Sequence, residues 1–275
     1  MTTDARTRDK SIVASGAGRF KICRLRQYRS LHAIIILTSK LTWMTKEKNS
    51  LKKITRFVGV LFLVQMIAAS VSHSAMLAPI LREEDFLTSI STNSTTVTFA
   101  MLLDLLCGLA VFGISVLLYP ILKKYNESIA LWYVGLRLNE WICLMISGIL
   151  LLTILSISRD FVQTGLPANS YLQALGKYLL DARGFTKILM LLGFCLSGIP
   201  FYYLLFKEKL LPRFISIWGM IGIGLLFIEV VSNIFGHSVG GILIMLPMGL
   251  NEIFLGIWLI VRGFNMPTID DNPVK

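Results

Sequence analysis

Long apolar runs separated by short polar connectors make up most of the chain. Six runs stand out, Phe57–Pro79, Val97–Leu122, Ile129–Ile157, Gly184–Phe206, Phe214–Phe235 and Gly241–Val261. Each reaches the roughly 20 residues that a helix needs to cross hydrocarbon. None alternates in period two, as the strands of a membrane barrel would. A spanning segment must satisfy its own backbone polar groups, so these runs are expected to be helices. The pattern predicts an all-α polytopic membrane protein with about six transmembrane helices.

The polar punctuation orients those helices. Lys46, Lys48, Lys52, Lys53 and Arg56 precede the first run. Lys123 and Lys124 join the second to the third, and Lys207, Lys209 and Arg213 join the fourth to the fifth. Arg262 and Lys275 follow the sixth. With six spans all of these fall on one side, against Arg82, Arg159, Lys177 and Arg183 on the other. The positive-inside rule then predicts that both termini are cytoplasmic. The one long outer connector, Ser158 to Arg183, is broken at Leu166-Pro167. Past that break Asn169 or Ser170 can cap a helix, and Leu172, Leu175 and Leu179 form its apolar stripe. This reads as an amphipathic piece at the interface or folded over the bundle mouth.

Composition agrees with the pattern. Apolar residues make up 55% of the 275 and charged residues 16%, against about 25% charged in soluble domains. The formal charge of +11 raises a nucleic-acid reading, but residues 1–43 carry nine of the Lys and Arg against two Asp. The basic excess belongs to that segment, and no aromatic-basic recognition module accompanies it, so no nucleic-acid partner is expected. Met44-Thr45-Lys46-Glu47-Lys48 reads as a fresh start, with 1–43 a basic extension or an annotation artefact, 44–264 a single membrane domain and 265–275 a short cytoplasmic tail. The other readings of 1–43 are a basic arm on anionic lipid and a targeting peptide.

Charges inside the spans are the candidate chemistry. Arg137 and Glu140 sit in the middle of the third run, one turn apart on one helix face. Each costs roughly 2.5–3.5 kcal/mol in hydrocarbon on insertion scales, so that face should look into the protein, with Glu140 or Glu252 as the partner of Arg137. At about 1.5 Å per residue, Arg137, Glu140, Asn251 and Glu252 lie near the midplane, and His73, Asp104 and Glu229 in the outer half. Arg183 and Lys187 fall at the outer rim. This grading suits a cavity open to the outside, with Arg183 and Lys187 at its mouth. The carboxylates would bind a cation or carry protons, and Arg137 would pair or hold an anion. The alternative is that these groups only fix helix packing. Pro200 and Pro247 fall inside spans, where each frees a carbonyl and favours a kink. A faint echo relates the second and third runs to the fourth and fifth, pairing Gly113, Trp132 and Glu140 with Gly198, Trp218 and Glu229.

No His-Glu-x-x-His, Gly-x-Ser-x-Gly or phosphate-binding loop is present. The four cysteines and three histidines show no metal-ligand spacing. Neither a metal nor a cofactor is expected.

Several short motifs recur in one known family. They are Asn126-Glu127-Ser128 ahead of Arg137-Leu138-x-Glu140, Asp181-Ala182-Arg183 opening the fourth span, Leu211-Pro212-Arg213-Phe214 with Trp218-Gly219, and Glu252 followed by Trp258 to Phe264. Over about Lys52 to Phe264 the chain resembles the bacterial membrane family named domain of unknown function DUF4386. The resemblance implies an inner-membrane protein of six or seven helices and no particular activity. Function stays open between a small-ligand binder or proton-coupled carrier, a non-catalytic membrane partner or sensor, and an intramembrane enzyme.

Overall fold

The computed structural model describes residues 50–165 and 171–265. The chain divides into two compact units, Met1–Lys53 and Ile54–Lys275, and the second unit forms the helical bundle. The expected start at Met44, the basic extension, the break at Leu166-Pro167, the caps at Asn169 and Ser170, and the tail from residue 266 onward lie outside the described residues.

Seven helices are described. They are α1 (Ser50–Leu81), α2 (Phe86–Thr92), α3 (Ser94–Leu122), α4 (Glu127–Thr164), α5 (Tyr171–Lys207), α6 (Arg213–Ile234) and α7 (Ile242–Val261). All but α2 are long and apolar enough to cross a membrane. Their outward faces carry large apolar side chains, among them Leu109, Ile149, Phe185 and Ile221, each more than half exposed. Such a surface is intolerable in water over this extent and suits lipid. The chain is an all-α, multi-pass membrane protein.

Local signals set the helix ends. Asn126 caps α4, its side chain accepting from the Ile129 N–H at 3.0 Å, and Glu127 adds a negative charge to the first turn. The Asn126-Glu127-Ser128 motif is therefore a helix start. Gly165, at φ 61°, ends α4 in the left-handed conformation that glycine adopts without strain. Pro212 is the cap of α6.

The outer connector differs from expectation. The residues read as an amphipathic piece are the first turns of α5, and 158–164 continue α4. Asp181-Ala182-Arg183 lies inside α5 and does not open it. At 38 and 37 residues, α4 and α5 are each more than 55 Å long by the rise of about 1.5 Å per residue, against hydrocarbon about 30 Å thick. α2 packs against both of them and covers the apolar residues of their long ends. Leu87 and Ile90 of α2 are fully buried with Leu151, Ile154, Phe161 and Leu172. Ser158 Oγ donates to the Leu87 carbonyl at 2.6 Å. Tertiary cover thus sustains both helices beyond the length that hydrocarbon requires.

The six long helices close into a ring in chain order. Ser72 on α1 donates to the Ala100 carbonyl on α3. Trp141 on α4 packs over Gly108 on α3, and Asn139 on α4 over Gly193 on α5. Tyr202 on α5 covers Gly219 on α6, and Met248 on α7 lies against Gly222 on α6. The ring closes where α7 meets α1. A Cβ on Gly59 would stand 2.6 Å from the Gly256 carbonyl oxygen, so only glycine permits this backbone approach. The ends that carry the basic connectors share one face: Gly263 lies beside Thr55, and the Asn265 N–H donates to the Leu210 carbonyl at 2.8 Å.

Pro79, Pro120, Pro200 and Pro247 all lie within helices, and two of them show how a proline is absorbed. Pro200 has no N–H for the Leu196 carbonyl. Trp132 on α4 supplies it instead, its indole N–H donating at 3.0 Å. Pro79 closes a π-helical stretch, Val71–Leu77, in α1. Single π turns interrupt helices where a bond cannot be made in the regular register, and this one holds His73.

Candidate functional site

The polar residues inside the ring form two groups at different depths. The midplane group is carried by α1, α4, α5 and α7. Arg137 Nη1 donates to Glu140 Oε2 at 3.2 Å, across one helical turn. The guanidinium lies between two rings, 5.0 Å from the centroid of Tyr133 and 4.7 Å from that of Phe194. Aromatic faces attract a desolvated cation, so the sandwich offsets part of its burial. Glu252 on α7 accepts from Gln65 Nε2 at 3.4 Å. Asn251, beside it, is fully engaged: Tyr202 Oη donates to its Oδ1 at 2.7 Å, and its Nδ2 donates to the Ile215 carbonyl at 3.1 Å. Arg137, Glu140 and Gln65 are each 4% exposed and Glu252 7%, which for a bundle in lipid means a dry site. Four buried atoms here have no hydrogen-bond partner: Gln65 Oε1, Tyr133 Oη, Arg137 Nε and Glu140 Oε1.

The outer group is centred on Asp104 of α3. Arg183 Nη2 donates to Asp104 Oδ2 at 3.3 Å, and His73 Nε2 stands 4.0 Å from Oδ1. His73, Arg183 and Lys187 line a cavity of about 160 Å³ with Cys143 and Ser147 of α4 and Thr186 of α5. That is about ten times the 10–15 Å³ that admits one water, and below the roughly 300–1,000 Å³ of sites for drug-sized molecules. Its charged lining is cationic, and its α4 wall ends at Cys143, one turn from Glu140.

Of the residues singled out from sequence, Arg137, Glu140, Glu252 and Asn251 meet at the midplane, and His73, Asp104, Arg183 and Lys187 meet above it. Arg137 has Glu140 as its ion-pair partner. Glu229 joins neither group. Its carboxylate accepts from Asn233 Nδ2, Ser238 Oγ and the N–H groups of Val239 and Gly240, all within 3.0 Å, and so anchors the turn between α6 and α7. The echo between Glu140 and Glu229 therefore does not extend to their surroundings. Gln65, Tyr133 and Tyr202 were not singled out. Gln65 is a lone amide in an apolar run, and Tyr133 lies four residues before Arg137 on the same helix face; both signals were readable. Among the described residues no group of three or more His, Cys, Asp or Glu is placed to hold a metal ion.

A ring of six spanning helices around a desolvated charged interior defines a multi-pass membrane protein with an internal polar site. The family model described as domain of unknown function (DUF4386) matches residues 57–263, well over half of the chain, and the chain belongs to that family. No curated protein and no solved structure matches it.

Proposed function

We propose that this protein binds a small solute in the outer cavity, taken from outside the cell, as the first step of transport or reception. The observation that carries this reading is the cavity's lining of Arg183 and Lys187 beside His73, with Asp104 as the carboxylate that pairs with Arg183. This surplus of cationic groups favours an anionic or strongly hydrogen-bond-accepting ligand, and the volume limits it to a few heavy atoms. The test is thermal stability of purified protein against a panel of small carboxylates, phosphate and matched cations. A stabilising anion whose effect is lost in Lys187→Gln supports the reading. Equal shifts in wild type and Lys187→Gln, or no shift with any of them, would count against it.

Proton-coupled transport is the second reading. It is favoured by the position of Glu140, the partner of Arg137, one turn from Cys143 of the cavity wall, where a proton-carrying centre would sense a bound ligand. Uptake into vesicles driven by an imposed pH gradient separates a carrier from a receptor. The reading also takes the face with the basic connectors, and both termini, as cytoplasmic and the membrane as the bacterial inner membrane. Labelling of intact cells with an impermeant thiol reagent at Gly165→Cys, but not at Lys124→Cys, is expected in a variant free of native cysteines; the reverse pattern would invert the topology.

A further inference from the structure

The charges of the midplane group do not balance as they stand. One guanidinium, Arg137, contacts Glu140 and has one further carboxylate, Glu252, within electrostatic reach. All three are at least nine-tenths buried. An excess negative charge in a dry bundle is strongly disfavoured, because neither water nor a counter-ion can compensate it. Two acids that share one site and one cation do not both ionise.

We propose that Glu252 is a proton-binding site, neutral in the resting protein, while Glu140 carries the charge that balances Arg137. Geometry makes the assignment. Glu140 holds the close contact with Arg137 at 3.2 Å. Glu252 makes no ion pair among the described residues, and the hydrogen bond it accepts comes from a neutral amide, Gln65. The titratable and charged groups within electrostatic reach of Glu252 offer it no second cation. They are Cys107 on α3, Tyr133, Arg137 and Glu140 on α4, and Tyr202 on α5. The orphaned acceptors nearby, Glu140 Oε1 and Gln65 Oε1, are the atoms to which an added acid hydrogen can be donated. A proton is therefore the cation this site takes, and Glu252 and Glu140 have unlike roles although both are buried glutamates beside one arginine.

The inference rests on the reading of the midplane as a proton-carrying centre only for what the proton is used for. The site itself is tested without ligand or flux, so its failure and that of the outer cavity are distinguishable. Gln mimics a protonated glutamate. Glu252→Gln should leave the thermal midpoint of the purified protein unchanged, whereas Glu140→Gln should lower it by several degrees by leaving Arg137 unpaired. Infrared difference spectra between wild type and Glu252→Gln should show one carbonyl band of a protonated carboxylic acid that is lost in the variant. Glutamate labelled with carbon-13 at its side-chain carboxyl should shift that band in the wild type, which keeps the test decisive should the variant fold poorly. The proposal is overturned if both variants destabilise equally or no label-shifted acid band exists. It is overturned equally if sodium at fixed ionic strength stabilises the wild type and not Glu252→Gln, which would give the site to a metal ion.

Discussion

The midplane group and the outer group are built from the same kinds of side chain, an arginine, carboxylates and polar neighbours, and they differ in the sign of what is left over. Around Asp104 there are more cationic groups than acidic ones, and they border a cavity. Around Arg137, whose guanidinium is packed against aromatic rings, there are more acids than bases. Ion pairing alone does not distinguish a structural pair from a site, since both groups contain one. The residual charge and the space beside it do. An outer surplus of positive charge suits an anion arriving from water, and a buried surplus of negative charge suits a proton.

The sharpest way to break this contrast is to remove each arginine. Arg137→Leu should destabilise the fold by about 3–5 kcal/mol, the cost of leaving a buried charge unpaired. Arg137→Leu with Glu140→Leu should cost clearly less than the sum of the two single changes, the coupling expected of one contact. Arg183→Leu should cost less than Arg137→Leu, because His73 remains beside Asp104. Chemical or thermal denaturation in detergent measures all of these. Additive energies at Arg137 and Glu140, or a larger loss at Arg183, would remove the distinction between the two depths.

A smaller effect tests how the midplane is held. Gly219 lies under the Tyr202 ring, and a methyl group there would overlap the ring carbons. Gly219→Ala should displace Tyr202 from Asn251 and destabilise by about 1–3 kcal/mol through overpacking. Adding Tyr202→Leu should recover much of that loss. If Gly219→Ala is neutral, Tyr202 does not fix α5 to α7.

The smallest effect concerns the proline in α5. Trp132→Phe should cost about 1 kcal/mol by leaving the Leu196 carbonyl without its donor. The same change should be nearly silent in Pro200→Ala, where the helix regains its own N–H. Equal costs in the two backgrounds would show that Trp132 acts through packing alone.

Much of this was legible in the sequence, because spans are set by hydrophobic length and the depth of a residue follows from counting along a helix. Arg137 with Glu140, and the separation of midplane from outer residues, could be read that way. What could not be read depends on which helices touch. Asp104 and Arg183 are 79 positions apart, and nothing local pairs them. Glu229, like Glu140, is a glutamate inside an apolar run, yet its partners come from the turn at Ser238–Gly240, whose geometry is set by the chain reversal. The start of α5 reads as an interfacial piece because Leu172 and Leu179 of its apolar stripe pack into the core beneath α2, a seven-residue helix too short to register as a span.

The most direct test of the contrast uses the native thiols, one at each depth. Cys143 lines the outer cavity, and Cys195 is fully buried on α5, next to Phe194 of the Arg137 sandwich. In variants that keep only one of them, the rates of modification by negatively and positively charged methanethiosulfonates of similar size can be compared. Cys143 is expected to react, faster with the anionic reagent than with the cationic one, and Lys187→Gln to reduce this preference, while Cys195 stays unreactive to both. Modification of Cys195 at a rate matching Cys143, or a cationic preference at Cys143, would contradict the assignment of opposite residual charge to the two depths.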